Sequence, residues 1–372
     1  MKRITVIAKI TSSCNLNCPY CYTRSTIKKH KPIMSLDIFE KILQNIVMYY
    51  DQAYIIFHGG EPLTVPTEWY KKALDLVDKY KEKFNTKIEL GLQTNLTLYN
   101  EEKLKLLDDH NVGIGFSYDG MTNHLTRKND ETIINNCYKI RTNFKNQKNL
   151  NNICLVTTNN YKTLEKDFKL FKLLAMKPKF NIVFNTVTME GELQKINFSV
   201  LVNKYEVLLK EVLTSKEHHY EYLFLNRIQY IYKKNIESRL CSNGDCRYKW
   251  ISVHQDGNIY PCGQEWRQKN DKYYLGNIKE NTFYEAFNSE NYKTFFDKVQ
   301  EKRDWCRLNC SIYDFCQSSC PGEDFSNKGD VGLLNCEICN FEKDMMSMME
   351  EVLKNTKIVN QNILRIIGGN NE

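Results

Sequence analysis

The chain has 372 residues, 52 Lys+Arg against 45 Asp+Glu for a net charge of +7, and 14 cysteines. That length allows a core that needs no covalent staples, so the cysteines are not explained as the disulfide framework of a small secreted fold. Basic residues such as Lys71, Lys72, Lys79, Lys81 and Lys83 are spread along helical faces rather than gathered in a patch with interleaved aromatics, which argues against a nucleic-acid partner.

The apolar run Ile4 to Ile10 is too short to span a membrane and no cleavage pattern follows it, so no membrane partner is expected and the setting is read as a reducing cytoplasm. There, clustered cysteines read as metal or iron-sulfur ligands. From residue 4 to about 187, short β-branched runs alternate with amphipathic stretches. Strands are expected at Ile4 to Ile10, Ala53 to Phe57, Lys87 to Leu92, Val112 to Ser117, Ile153 to Thr157 and Phe180 to Val187. Helices are expected after the N-cap Ser35 and over Glu68 to Phe84, Glu101 to Asp109, Glu131 to Phe144 and Leu164 to Ala175. Six β-α units describe an α/β fold, either a partial barrel or an open doubly wound sheet. Residues 191–240 read as helical, with the aromatic-rich Tyr220 to Tyr232 segment packing between domains. Asp256-Gly257 then marks a hairpin between Trp250 to Val253 and Asn258 to Tyr260. The chain closes on a helix from Asn340 to Lys354 and a polar tail, Gly368 to Glu372.

Behind the first strand stand Cys14, Cys18 and Cys21, spaced C-x3-C-x2-C, with no fourth thiol nearby. Iron-sulfur cubanes are normally held by four thiolates, so three in one loop leave an iron for a non-protein ligand; a zinc knuckle lacking a ligand is the plainer alternative. The spacing, with Tyr20 just before the third cysteine, resembles the signature of the radical S-adenosylmethionine (radical SAM) superfamily. The resemblance implies a partial (β/α)6 TIM-like barrel over residues 1–190, a [4Fe-4S] cluster on the three cysteines, and Tyr20 near adenine. It also implies reductive cleavage of S-adenosylmethionine (SAM) to methionine and a 5′-deoxyadenosyl radical. The second strand ends in His58-Gly59-Gly60-Glu61-Pro62, which alone could be a tight turn. Next to the cysteine loop, Gly59, Gly60, Glu61 and Pro62 resemble the family motif that holds the amino group of SAM. The third strand ends in Gln93-Thr94-Asn95 and the fourth in Ser117-Tyr118-Asp119-Gly120, followed by His124 and Arg127. Short polar side chains such as Asn95 suit ribose hydroxyls and a guanidinium suits a carboxylate. By resemblance to the family's Ser-x-Asp-Gly and later His-Asp-x-x-Arg segments, Ser117 and Arg127 carry over. Leu125 replaces the Asp of the second segment, and a turn at Asp119-Gly120 with a surface Arg127 is the plain alternative.

Nine of the fourteen cysteines follow residue 240. Cys246, Gly257 and Cys262, then Cys306-x3-Cys310-x5-Cys316-x3-Cys320, Cys336 and Cys339, resemble the SPASM extension of radical SAM enzymes, with one extra residue between Cys306 and Cys310. A helical bridge over 191–240 and a cysteine-rich α+β SPASM domain over 241–372 follow. The resemblance implies a first auxiliary [4Fe-4S] cluster on Cys241, Cys246, Cys262 and Cys320. It implies a second on Cys306, Cys310, Cys316 and Cys339, with Cys336 the alternative fourth ligand, for three clusters in all. Two structural zinc sites are the other reading of the same thiols. Cys137 and Cys154 read as plain buried thiols.

SPASM relatives include peptide maturases and anaerobic sulfatase-maturing enzymes. In the latter an Asp directly after the loop cysteine is the general base; here that residue is Gly263, which takes no proton, although Glu265 could substitute. The expected function is therefore a maturase of a ribosomally made peptide, forming a crosslink, thioether or epimer, with formylglycine formation, a small-metabolite enzyme and a metal scaffold as alternatives. Expected partners are the peptide or protein substrate, acidic if the net positive surface recognises it, and an electron donor such as flavodoxin or ferredoxin.

Overall fold

The computed structural model describes residues 2–21, 32–147, 150–182, 185–187, 193–216, 220–234, 245–263, 273–321 and 337–368. Strand β1 (Arg3–Thr11) is covered on both faces, as parallel strands are. Ile4, Val6, Ala8 and Ile10 are fully buried on one face, and Thr5, Lys9 and Thr11 nearly so on the other. Helix α1 (Leu36–Tyr49) starts where Ser35 accepts the Ile38 N–H, as expected from the N-cap, and buries Ile38, Phe39, Ile42, Leu43 and Ile46 at helical spacing. The alternation continues through β2 (Gln52–Gly59), α2 (Thr67–Phe84), β3 (Lys87–Thr94), α3 (Glu101–Asp109), β4 (Gly113–Ser117), α4 (Asn123–Thr126), α5 (Asp130–Asn143), β5 (Asn151–Val156), α6 (Leu164–Leu173) and β6 (Lys177–Ile182). Next come β7 (Asn185–Val187), β8 (Leu193–Lys195), α7 (Phe198–Thr214), α8 (Leu225–Lys233), β9 (Trp250–His254) and β10 (Ile259–Tyr260). The chain ends with α9 (Phe283–Asn288), α10 (Glu290–Asn309), α11 (Tyr313–Cys316), α12 (Glu337–Asn355) and α13 (Gln361–Ile367).

The main sheet runs β10-β9-β1-β2-β3-β4-β5-β6, with β1 to β5 paired in parallel. Strand order that follows chain order without reversing belongs to a barrel; a doubly wound sheet turns back at a switch point. This resolves the choice the alternation left open in favour of the partial (β/α)6 barrel. One expected strand, Phe180 to Val187, is instead two. β6 begins earlier, just past Ala175 at φ +50°, and β7 leaves the main sheet to pair antiparallel with β8. The Asp256-Gly257 hairpin forms as expected, Gly257 at φ +94°, and its strand β9 lies parallel to β1 with His254 opposite Lys9.

Two compact units divide the chain: Met1–Asp119, Asn123–Cys154 and Cys246–Phe296 form the first; Gly120–Thr122, Leu155–Asp245 and Asp297–Glu372 the second. In the first, Phe57 of β2 meets Phe39 of α1 and Trp69 and Tyr70 of α2 at ring distances of 5.6–6.0 Å. The helices therefore cover the Ala53, Ile55 and Phe57 face of β2, and Tyr54, Ile56 and His58, all partly exposed, lie on the opposite one. In the second unit α7 and α12 share a core of Leu201, Tyr205, Leu209, Phe341, Met345 and Met349. Tyr220, Phe224 and Ile228, expected between domains, join that same core. Among the described residues no helix is long and apolar enough to cross a membrane.

Candidate radical SAM site

The cysteine loop is built directly on the Gly-Gly turn. Gly60 N–H donates to Thr11 O (2.9 Å) and Glu61 N–H to Ser13 O (2.8 Å). A Cβ on Gly59, at φ +134°, would fall 1.9 Å from Thr11 O, and one on Gly60 2.2 Å from Ser13 O. Both glycines are thus required by the approach of the loop's own backbone. Cys18 is buried and Cys14 and Cys21 partly exposed. Burial pushes the Cys18 thiol up to about 11; the nearby Arg127 charge opposes that shift and the Cys21 and Cys14 thiols add to it. Cys14 is also raised, by burial first, while the Leu16 N–H (3.4 Å to Sγ) and Asn95 act the other way. Three thiols on one loop, within electrostatic reach of one another and with N–H donors at Cys14, fit a cluster that takes one thiolate per iron. Among the described residues no group of three or more His, Cys, Asp and Glu is placed to hold a single metal ion.

Glu61, fully buried, spends its carboxylate on the protein. Oε1 accepts from Leu63 N–H (2.8 Å) and Thr94 Oγ1 (2.8 Å), and Oε2 from Asn95 N–H (2.7 Å). Burial raises its pKa; those donors and Lys103 oppose the rise. The carboxylate ties the end of β2 to the end of β3, and it caps the short turn Pro62–Thr64. Lys103, buried on α3, completes the brace by donating Nζ to Leu63 O (2.7 Å) and Val65 O (2.6 Å). Pro62 is the first residue of that turn and its carbonyl accepts the Tyr70 hydroxyl. Sequence reasoning missed Lys103, because a lysine in an amphipathic helix normally reads as a solvated one.

Tyr20, Asp119 and Arg127 form one knot. The Tyr20 hydroxyl donates to Asp119 Oδ2, which also accepts from Thr126 Oγ1 (2.8 Å) and pairs with Arg127 Nε (3.3 Å). The guanidinium lies 5.3 Å from the Tyr20 ring centroid. Burial works against the Arg127 charge, but Asp119, Tyr20 and Cys18 outweigh it and raise its pKa. Arg127 is therefore no surface charge, and Asp119 does more than turn the chain. Ser117 Oγ accepts from Gln93 Nε2 (3.1 Å), and His58 of β2 stands opposite Lys9 of β1. His58 Nδ1 accepts the Gly59 N–H (2.7 Å), and burial, then the Lys9 charge, lowers its pKa to about 4. His124, on α4, stands three residues before Arg127.

Of the later cysteines, Cys246 and Cys262 belong to the first unit; Cys306, Cys310, Cys316, Cys320 and Cys339 belong to the second. Cys241 and Cys336 lie outside the described residues, as do Glu265 and the tail 369–372. Cys310 N–H donates to Cys306 O (2.8 Å) at the end of α10, and Cys316 closes α11. Burial pushes the Cys316 thiol up to about 12, and Glu342 and Cys310 add to the rise. Gln317, Ser318 and Ser319, the spacer before Cys320, all sit at positive φ, a strained backbone of the kind held at functional sites. Cys339 packs beside Ile338 in the first turn of α12.

A sequential parallel sheet with a three-cysteine loop after its first strand and a Gly-Gly turn after its second defines a radical SAM protein. The radical SAM superfamily model matches residues 8–171 and the SPASM iron-sulfur cluster-binding domain matches 241–311. The chain is 28% identical to a cysteine-type anaerobic sulfatase-maturating enzyme of Clostridium novyi, over 86% of this chain and 88% of that one. It is 24% identical to the radical SAM cyclopropyl synthase TigE of Paramaledivibacter caminithermalis, over 93% and 74%. A solved structure described as native anSMEcpe with bound AdoMet and Cp18Cys peptide shares its fold, at TM-score 0.78 and 24% identity, over 95% of this chain and 98% of the other. The chain is a radical SAM enzyme with a SPASM extension, of the maturase kind. Its cofactors are SAM, a [4Fe-4S] cluster and the auxiliary clusters of the SPASM domain.

Proposed function

We propose that this maturase abstracts a hydrogen atom from a ribosomally made peptide and so forms a crosslink, a thioether or an epimer. The observation that carries the reading is the three-thiol loop bonded to the Gly59-Gly60-Glu61 turn at the ends of neighbouring parallel strands. In this reading Cys14, Cys18 and Cys21 hold the first cluster. Tyr20, Gly59, Gly60, Glu61, Pro62, Asn95, Ser117 and Arg127 surround SAM. Bound together, cluster and SAM supply a 5′-deoxyadenosyl radical. The chain's own work is positioning: Glu61 and Lys103 fix the turn, and the Tyr20-Asp119-Arg127 knot fixes the loop. Cys241, Cys246, Cys262 and Cys320, and Cys306, Cys310, Cys316 and Cys339, would hold the auxiliary clusters, which would supply an acceptor for the electron left over when a crosslink or thioether forms; epimer formation needs none. A flavodoxin or ferredoxin delivers electrons to the first cluster.

A second reading, oxidation of a sulfatase cysteine to formylglycine, is favoured by the clostridial relatives. Against it stands Gly263, which takes no proton, and a Cβ there would come 2.5 Å from Ile7 Cδ1, so an aspartate would require Ile7 to move. The test is to reconstitute the protein anaerobically, reduce it with SAM, and offer peptides encoded beside its gene alongside a sulfatase peptide. Deoxyadenosine with loss of a hydrogen pair, or with epimers, in a neighbouring peptide supports the first reading. An aldehyde formed only in the sulfatase peptide replaces it with the second. Absence of deoxyadenosine from the wild-type protein overturns both, and Cys14→Ala is expected to make none.

A further inference from the structure

We infer that Asn95 is a positioning residue that sets the reduction potential of the first cluster, by directing a side-chain N–H at Cys14 Sγ from a closed ring of hydrogen bonds with Asn15 and Thr97. The inference rests on the reading that Cys14 is a cluster ligand. Asn95 Nδ2 lies 3.9 Å from Cys14 Sγ and donates to Asn15 Oδ1 (2.9 Å). Asn15 Nδ2 in turn donates to Thr97 Oγ1 (2.7 Å), and that hydroxyl donates to Asn95 Oδ1 (2.7 Å). The ring has one consistent direction. Thr97 N–H, which can only donate, also reaches Asn95 Oδ1 (2.9 Å), so the amide has its oxygen toward Thr97 and its nitrogen toward the thiol. The Asn95 backbone N–H is tied to Glu61 Oε2 (2.7 Å), which fixes the residue at its root.

A second observation points the same way. Between Asn95 and Thr97, the fully buried Leu96 is held at φ +57°, a region that disfavours a residue with a side chain, and its carbonyl is pinned by Asn136 Nδ2 (2.9 Å). That strain bends the chain so that Thr97 can close on Asn95. Thr97 is only partly buried and Asn15 is exposed, so both could find water instead, and the ring is an arrangement the backbone enforces.

An N–H directed at a ligating sulfur withdraws electron density and favours the reduced, more negative cluster, so it raises the potential. Leu16 N–H, 3.4 Å from the same sulfur, is a backbone donor that substitution leaves in place, whereas the Asn95 donor can be removed alone. The test is an EPR-monitored redox titration of the full anaerobic protein without SAM, at matched iron content. The relevant signal is the one absent from Cys14→Ala. Omitting SAM separates this role from any contact between Asn95 and ribose. Asn95→Asp keeps the acceptor for Thr97 but sets an oxygen against the sulfur. We expect it to shift the one-electron equilibrium about tenfold toward the oxidised form, a fall of about 59 mV. Asn95→Leu should fall less, and Thr97→Val, which opens the ring but keeps the donor, least. Wild-type potentials in Asn95→Asp and Thr97→Val overturn the inference while leaving the cluster assignment intact. If an Asn95 variant loses its iron, Thr97→Val decides, and an unshifted potential there overturns it. If no iron-sulfur signal is lost in Cys14→Ala, the cluster assignment fails and the inference with it.

Discussion

Asp119→Asn tests how the cysteine loop is held. The side chains of Asp119 and Arg127 are 1% and 11% exposed and lie 3.3 Å apart. Asparagine keeps an oxygen for Thr126 and for Tyr20 but removes the charge, so the Arg127 guanidinium stays buried without its counter-charge. Removing one member of a buried pair costs about 3–5 kcal/mol, mostly the desolvation of the charge left behind. For a unit of this size that corresponds to a fall in Tm of roughly 6–20 °C. Thermal unfolding followed by near-UV circular dichroism, under argon and at equal iron content, measures it. The decisive comparison is a cycle with Arg127→Met. Each single change strands a charge, whereas the double variant strands none and should cost less than the two singles together, by about 1–3 kcal/mol. Strict additivity, or an Asp119→Asn protein within about 1 kcal/mol of wild type, refutes the knot as the anchor of the loop.

Three other substitutions follow from the geometry. His58 has its folded pKa lowered from 6.5 to about 4, so between those values the unfolded chain binds the extra proton. Stability is then full above the unfolded value and is lost as pH falls toward 4; by pH 5 the loss is at most about 2 kcal/mol. Denaturant titrations at pH 7 and pH 5 should show this loss in wild type and not in His58→Gln. Gly60→Ala sets a Cβ 2.2 Å from Ser13 O, where only backbone movement makes room, and should abolish both SAM binding and retention of the first cluster's iron, read by calorimetry and iron analysis. Lys103→Met fills the same space but removes the two donors that hold Leu63 O and Val65 O; unfolding measurements should show a cost of about 2–4 kcal/mol.

What could be read from the sequence was local. Ser35 and the Asp256-Gly257 pair act where their chemistry says they should, because caps and turns depend on neighbours a few residues away. The first five strands of the barrel were legible for the same reason, through short β-branched runs, whereas the sixth was placed too late and merged with β7. The pairing of β9 with β1 was not, since period-two alternation marks a strand without naming its partner, and these two are some 245 residues apart. Asp119 was legible as a member of the Ser-x-Asp-Gly segment or, as the plain alternative, a turn residue; its contacts with Tyr20, Thr126 and Arg127 were not, since no spacing rule connects them.

The Gly-Gly-Glu turn shows how a motif can be found for one reason and be needed for another as well. As sequence, its glycines suggest room for a ligand; in the fold, the missing Cβ atoms make room for Thr11 and Ser13 of the cysteine loop. The Glu61 carboxylate is likewise turned inward, onto Thr94 and Asn95, and Asn95 reaches back to the same loop. The backbone that would cradle SAM and the loop that would hold the cluster are therefore one hydrogen-bonded body, in which Gly60 N–H to Thr11 O and Glu61 N–H to Ser13 O are the shared joints. Independent loss of the two functions by substitution within the turn is not open to such a construction. A variant of Gly59, Gly60 or Glu61 that lost SAM while keeping a wild-type cluster would have to move the turn without moving the carbonyls it is bonded to.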